Sequence, residues 1–151
     1  MTDAPDGAAV DREALAREAS AAMWAEDNAS RALGMTLVEA GPGRAVLTMA
    51  VTAAMTNGHG MCHGGYIFTL ADSAFAFACN TYNQRVVAQM GQITFLAPGQ
   101  EGDVLTARAA EVWRQGRSGI YDITVTRQDG TRIAEFRGHS RSIKGTHLPE
   151  E

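Results

Sequence analysis

The sequence predicts an α+β fold in which an antiparallel β-sheet wraps around one long central α-helix, with a further helix near the N-terminus. The first observation is residues 63–80, an apolar stretch long enough for several helical turns. The second is a series of extended segments separated by short turns, which favours antiparallel hairpins. Because the central helix is apolar on nearly every face, it must be covered by the sheet or by a partner subunit.

Each predicted helix, strand and loop has its own local pattern in the sequence. Residues 11–27 have acids in the first turn and apolar residues at helical spacing, which predicts a helix. Residues 35–39 and 44–51 surround a G-P-G turn and are predicted to form a hairpin. A glycine-rich loop, residues 56–62, then leads into the central helix. Four strands joined by short turns are expected after it, at residues 86–96, 103–114, 117–127 and 131–143.

Length and composition set the domain count and exclude several classes of protein. The 151 residues suit one domain, predicted over residues 11–145, with flexible tails expected at 1–10 and 146–151. A net charge of −4 argues against a nucleic-acid binder that depends on a basic surface. The sequence has no signal-peptide pattern and no apolar run that could span a membrane, so a cytoplasmic protein with Cys62 and Cys79 reduced is expected.

Asp72 lies in the most apolar part of the chain. Between Ala45 and Gln100, Asp72 and Arg85 are the only residues with a formal charge. Moving an unpaired carboxylate out of water is costly or forces its protonation, so such groups are seldom buried without a use. A carboxylate bonded to a nearby hydroxyl or backbone group is the structural alternative. Because buried charges cluster at working sites, Asp72 is predicted to be functional.

Two adjacent glycines, Gly64 and Gly65, stand at the start of the central helix. No side chain covers the first backbone N–H groups there, and the helix dipole adds positive potential, so the site suits an oxyanion. Asp72 follows Gly64 by eight residues, which is about 12 Å along the helix axis. One reacting carbon cannot touch both groups within a chain. If they cooperate, they come from two subunits, which predicts a site at a two-fold interface.

Other polar residues are weaker candidates. His63 immediately precedes the two glycines and Asn57 lies in the loop before it, and each could bind a carbonyl oxygen or orient the helix start. His59, Cys62 and His63 have no fourth ligand at a convincing spacing, so no metal site is predicted. Most of the basic residues within 114–118 and 137–145 are interpreted as solvent-exposed charges on strand edges. The more specific alternative is that some of them contact the phosphates of a substrate.

The segment N-G-H-G-M-C-H-G-G-Y-I-F-T-L-A-D-S-A-F-A-F-A-C-N, residues 57–80, resembles the signature of the hotdog-fold acyl-CoA thioesterases, in particular their phenylacetic acid degradation (PaaI-type) branch. The resemblance continues at I-T-F-L-A-P-G, G-D-V-L-T-A, G-I-Y-D-I and F-R-G-H-S, and covers nearly the whole chain after residue 10. It implies a hotdog fold, dimers with two-fold-related sites, and usually a homotetramer of two dimers. This agrees with the spacing of Gly64 and Asp72.

The resemblance also implies roles for individual residues. Asp72 matches the catalytic carboxylate, Gly64 the oxyanion N–H, Asn57 the loop amide near the thioester carbonyl, and His63 the neighbouring site histidine. In the implied mechanism, the Gly64 N–H holds the carbonyl while Asp72 of the facing subunit activates water or attacks directly, expelling CoA thiolate.

Less is implied about the two ends of the substrate. Arg117 and Ser118, in a turn similar to family positions, are the candidates for the nucleotide end of CoA. Met61, Tyr66 and Phe68 are expected near an acyl group of the aromatic (phenylacetyl- or hydroxyphenylacetyl-type) or short class. CoA enters as part of the substrate, and no cofactor is required.

The chain departs from the family pattern at one position. Some related hydrolases have a serine that helps to hold the water, and this chain has Ala88 there, next to Gln89. Two alternative functions stay open on the same fold. One is a non-catalytic acyl-CoA sensor, and the other is an acyl-thioester dehydratase that pairs a histidine base with the helix carboxylate.

Overall fold

The computed structural model describes residues 6–150, with side chains from Asp11 onward. It contains three α-helices, one short 3₁₀ helix (Ala53–Met55) and six strands. The helices are α1 (Asp6–Glu26), α2 (Asn28–Ala32) and α3 (Gly64–Cys79). The strands are β1 (Thr36–Gly41), β2 (Arg44–Ala50), β3 (Gln84–Phe95), β4 (Val104–Gln115), β5 (Ser118–Thr126) and β6 (Arg132–Thr146). The predicted α+β class is confirmed, and each predicted helix and strand is present with shifted ends.

Helix α2 is an element that the sequence pattern did not predict. The predicted N-terminal helix ended at Asp27, and this residue instead caps a second short helix. Its carboxylate accepts hydrogen bonds from Ser30 N (2.9 Å) and Ser30 Oγ (2.7 Å). The Ser30 hydroxyl is also 2.8 Å from Ser73 Oγ, which attaches α2 to the middle of α3.

The six strands form one antiparallel sheet in the order β1-β2-β4-β5-β6-β3. The hairpins β1–β2, β4–β5 and β5–β6 are those that the short turns predict. The expected hairpin between β3 and β4 is wrong, because β3 pairs with β6 at the sheet edge and β4 pairs with β2. Helix α3 carries the chain across the sheet between β2 and β3. The pairings of β2 with β4 and of β3 with β6 are therefore non-local, and local periodicity does not specify them.

Helix α3 lies across one face of the sheet, where it packs against β2, β3, β4, β5 and β6. Most of its side chains are buried. Phe75 lies so close to β6 that a Cβ at Gly138 would be 2.8 Å from its ring. One stripe of α3 is left less covered, and it comprises Gly65, Thr69, Asp72 and Ala76 at intervals of four, three and four residues. The predicted wrapping of α3 is therefore confirmed except along this stripe.

The predicted tails border the described elements. Helix α1 begins at Asp6, and residues 1–5 lie outside the described part of the chain. At the other end, His147 and Leu148 donate backbone hydrogen bonds to Asn83 Oδ1, at 3.0 and 2.9 Å. His147 Nε2 also lies 2.6 Å from Asn80 Oδ1, so this end of the chain contacts the C-terminus of α3. The domain boundaries at residues 11 and 145 stay predictions.

None of the helices within residues 6–150 combines the length and apolar character needed to cross a membrane.

Candidate active site

The start of α3 is held in place by backbone hydrogen bonds from the preceding loop. Cys62 N donates to Gly99 O and His63 N donates to Met55 O, both at 2.7 Å. His63 is the N-cap of the helix, and its Nδ1 accepts a hydrogen bond from Gly65 N at 2.9 Å. The helix start therefore has a fixed position and direction before any ligand binds.

The Gly64 N–H is the donor that this cap leaves free, since it makes no hydrogen bond to any residue that the structure describes. Gly64 lies in the wall of an open cleft of about 510 Å³, between the helix start and the end of β3. Apart from the Cys62 thiol, the side chains that line this cleft are apolar. A carbonyl oxygen that enters the cleft meets an unpaired donor at the positive end of a helix dipole.

The tautomer of His63 follows from its capping role. Because Nδ1 accepts from Gly65 N, the neutral imidazole must carry its proton on Nε2. The His63 ring is exposed and packs edge-on against Tyr66, with the ring centroids 6.4 Å apart. His63 in this arrangement offers an N–H donor beside the cleft, and it becomes a base only if the cap on Gly65 is broken.

Asn57 organises the loop before the helix. Its Oδ1 accepts hydrogen bonds from His59 N (2.9 Å) and Met61 N (3.3 Å), which closes a tight turn with Gly60 at φ +75°. The Nδ2 group has no partner within the described part of the chain. Asn57 therefore keeps an amide donor that is available to a ligand.

Asp72 is half-buried in the middle of the uncovered stripe of α3. Its carboxylate accepts no hydrogen bond and forms no salt bridge within residues 11–150. Burial raises the pKa of the Asp72 carboxyl above its usual range. The structure keeps Asp72 and Gly64 on the same helix, eight residues apart, so the two groups do not meet within one chain.

The unpartnered carboxylate has a consequence for stability. A raised pKa in the folded state means that folding disfavours the ionised form of Asp72. The resulting loss in the free energy of unfolding is present at neutral pH and disappears below the unfolded pKa of about 3.9. We expect Asp72→Asn to raise Tm at pH 7 to 8, with the difference from wild type shrinking as the pH falls towards 4. Differential scanning calorimetry across this range tests it, and a difference that is constant with pH would contradict a charge effect.

A second cavity, of about 390 Å³, lies near the β4–β5 turn and contains Arg114, Arg117 and Lys144. None of these three cations forms a salt bridge with a described residue. Arg117 Nη2 donates to Ser142 O at 3.1 Å, and the Arg114 guanidinium lies 3.7 Å from the centre of the Tyr82 ring. These contacts hold two guanidinium groups at the same cavity, an arrangement that suits phosphate.

Tyr82 is itself fixed below Arg114. Its hydroxyl donates to Glu111 at 3.1 and 3.2 Å, and Tyr121 donates to the same carboxylate at 2.9 Å.

Sequence reasoning named Arg117 but interpreted most of the neighbouring cations as strand-edge charges. The signal was their density in the two basic segments, but their convergence depends on the pairing of β5 with β6. Ser118 is exposed beside the cavity and does not line it.

The other predicted site residues are distributed as follows. Met61 lines the apolar cleft, Phe68 packs on Phe136 with ring centroids 5.2 Å apart, and Tyr66 contacts His63. Ala88 is opposite Ser140 on β6, and the register shift just after it places Gln89 in a bulge of β3. Within residues 11–150, no three potential ligands, including His59, Cys62 and His63, are grouped so as to hold a metal ion.

A helix wrapped by an antiparallel sheet, with a free N–H at its start and a carboxylate on its open face, defines the hotdog-fold class of thioester hydrolases. The chain belongs to the thioesterase superfamily, whose family model matches residues 59–134. The predicted fold, family and enzyme class are thereby confirmed.

Individual relatives agree with this assignment. The acyl-coenzyme A thioesterase PaaI of Escherichia coli K12 is 48% identical over 126 residues, which are 83% of this chain and 89% of that protein. The solved structure of the E. coli PaaI protein from the phenylacetic acid degradation operon superposes with a TM-score of 0.88 at 44% identity, covering 89% of this chain and 97% of that one. A Streptococcus mutans protein bound to acetyl CoA has a TM-score of 0.71 at 27% identity, covering 74% and 90%.

Proposed function

We propose that this protein hydrolyses acyl-CoA thioesters to a free acid and CoA, with aromatic (phenylacetyl- or hydroxyphenylacetyl-type) or short acyl groups as substrates. The observation that carries the proposal is the pairing of a free Gly64 N–H in an apolar cleft with an unpartnered carboxylate, Asp72, on the open stripe of the same helix. The relative named as an acyl-coenzyme A thioesterase and the one with bound acetyl CoA support the same substrate class.

The proposed reaction begins with the thioester carbonyl in the cleft, where its oxygen accepts a hydrogen bond from Gly64 N–H, with Asn57 Nδ2 nearby. The ionised Asp72 of the facing subunit takes a proton from water, and the resulting hydroxide attacks the carbonyl carbon. The negative charge that forms on the carbonyl oxygen is stabilised by the helix start. Collapse of the intermediate breaks the C–S bond, and the departing CoA thiolate takes the proton held by Asp72, so that CoA leaves as the thiol and Asp72 is ionised again. In the second route Asp72 attacks the carbonyl directly and expels CoA thiolate, which leaves a mixed anhydride on Asp72, and water then hydrolyses this anhydride to release the acid and restore the carboxylate.

Two copies must meet for this reaction to occur. Strand β3 is one of the two edge strands of the sheet and exposes Val87 and Met90, at 44% and 41%. We propose that a second copy pairs along β3 and covers the open stripe of α3, which brings Asp72 of one subunit to Gly64 of the other. A second exposed apolar pair, Val112 and Trp113 on β4, is the proposed contact between two such dimers in a homotetramer.

Mixed subunits test the shared site. Asp72→Asn and Gly64→Pro subunits each lack one proposed group, but a heterodimer of the two has one complete site and one doubly defective site. Co-expression of the two variants should give a random mixture of dimers with about one quarter of wild-type activity. Two different affinity tags identify the two kinds of subunit in the mixture. The separately expressed variants are the controls. A mixture that is no more active than either variant alone would place both groups in one subunit.

The dehydratase alternative is disfavoured by the site geometry. It needs a histidine base, and the Nδ1 atom of His63 is occupied by Gly65 N. Thiol release from a panel of aromatic and aliphatic acyl-CoAs separates the candidates. The thioesterase releases thiol, a sensor binds the same ligands without turnover, and a dehydratase interconverts an enoyl-CoA with its hydrated form. The lack of a cofactor requirement and a cytoplasmic location remain predictions from the sequence.

We propose that Arg117 binds the phosphates of CoA, with Ser118 next to it. Arg117→Ala should raise KM by about tenfold at low salt with little change in kcat, because it removes ground-state binding. The increase should shrink at high ionic strength, since the contact is exposed. Arg108→Ala is the matched control, because Arg108 is an exposed arginine of β4 outside the cavity. An unchanged KM in Arg117→Ala would remove this residue from the site.

A further inference from the structure

Phe95 occupies an unusual position at the end of β3. Its side chain is 51% exposed, although it is a large apolar group. The tip of its ring lies against the first residue of α3, because a Cβ at Gly64 would be only 2.9 Å from Phe95 Cζ. The ring is thus next to the free Gly64 N–H. Any carbonyl that binds to this N–H brings its substituents into contact with the ring.

The composition of the cleft indicates which part of a thioester it accepts. Met61, Ile67, Phe95, Leu96 and Pro98 provide most of the lining, and the thiol of Cys62 is directed to the His63 carbonyl at 3.7 Å. The pantetheine arm of CoA carries two amides, which lose their hydrogen bonds to water when they enter an apolar wall. A hydrocarbon or aryl chain has no such cost. The volume of about 510 Å³ is also within the range of small-molecule sites.

We infer that this cleft is the acyl pocket and that Phe95 is its specificity-determining residue, which selects a planar aryl group by contact with its ring beside the oxyanion N–H. The inference rests on the proposed thioesterase function and adds to it the residue that chooses the acyl group. Aromatic pairs gain energy from edge-to-face and offset geometries beyond the burial of area, so the ring of Phe95 favours phenylacetyl over an aliphatic chain.

The test compares kcat/KM for phenylacetyl-CoA and butyryl-CoA in wild type, Phe95→Leu and Phe95→Ala. Phe95→Leu keeps an apolar side chain of similar bulk but removes the aromatic ring. Both variants should lose about fivefold to tenfold on phenylacetyl-CoA and change less than about threefold on butyryl-CoA. Val104→Ala is the control, since Val104 is an exposed apolar strand residue, 43% accessible, that does not line the cleft.

The outcomes separate the inference from the function on which it rests. An equal loss on both substrates would overturn the inference, because Phe95 would then support the helix start and not the acyl group. Values of kcat/KM that stay unchanged for both substrates in both variants would also overturn the inference. So would a wild type without preference for phenylacetyl-CoA. Either result would leave the thioesterase function in place. A wild type that releases thiol from neither substrate nor from the wider panel would overturn both.

Discussion

Replacing Asp72 with asparagine should lower kcat for thiol release by about 10²- to 10⁴-fold, the usual contribution of a positioned general base. Asparagine has nearly the same shape as aspartate but cannot take a proton from water or attack the carbonyl. Asp72 accepts no hydrogen bond from a described residue, so the substitution breaks no contact of that kind within the subunit. The loss should therefore occur in a folded protein with an unchanged oligomeric state.

The pH profile gives this prediction a second readout. Burial raises the pKa of Asp72, and the proposed mechanism uses only its ionised form. We therefore expect wild-type kcat/KM to fall as the pH drops through a value above that of an ordinary carboxyl. The residual kcat/KM of Asp72→Asn should not show this fall at low pH. Asp129→Asn makes the same chemical change in the β5–β6 turn and should keep both the rate and the profile. A flat wild-type profile would argue against Asp72 as the base.

Replacing Gly64 with proline should lower kcat by about 10²- to 10³-fold relative to Gly64→Ala, since proline removes the proposed oxyanion N–H. Gly64 is the first residue of α3, a position where proline is well tolerated and where the helix does not use the N–H. His63, with φ −59° and ψ 134°, already has the extended conformation that a residue before proline requires.

Alanine at the same position is the matched control. Both variants add a Cβ that meets the ring of Phe95 at 2.9 Å, so the two share the steric effect. They differ at the backbone nitrogen, where alanine retains the N–H and proline carries its Cδ. Circular dichroism and size-exclusion chromatography establish that both are folded and equally assembled. Equal kcat values for the two variants would show that the Gly64 N–H does not stabilise the transition state.

Helix α3 and the hairpins show how far local patterns lead. The apolar stretch of 63–80 became α3, and each strand after it was recognised from its flanking turns. The pattern failed at the pairing of β3 with β6, because this contact joins two segments that have β4 and β5 between them in the chain. Asp72 and Gly64 were named from composition alone, since one carboxylate and two glycines contrast with their apolar surroundings.

The sequence by itself determined most of the elements, the family, and the separation of Gly64 and Asp72 along one helix, from which a site shared by two subunits is proposed, because these depend on residue type and spacing. Only the tertiary structure decided that Phe95 lies on Gly64 and that Arg114, Arg117 and Lys144 line one cavity. Both arrangements join residues from different elements of the fold. They follow from strand order and register, which are set by the packing of the whole sheet around α3 and not by any local pattern.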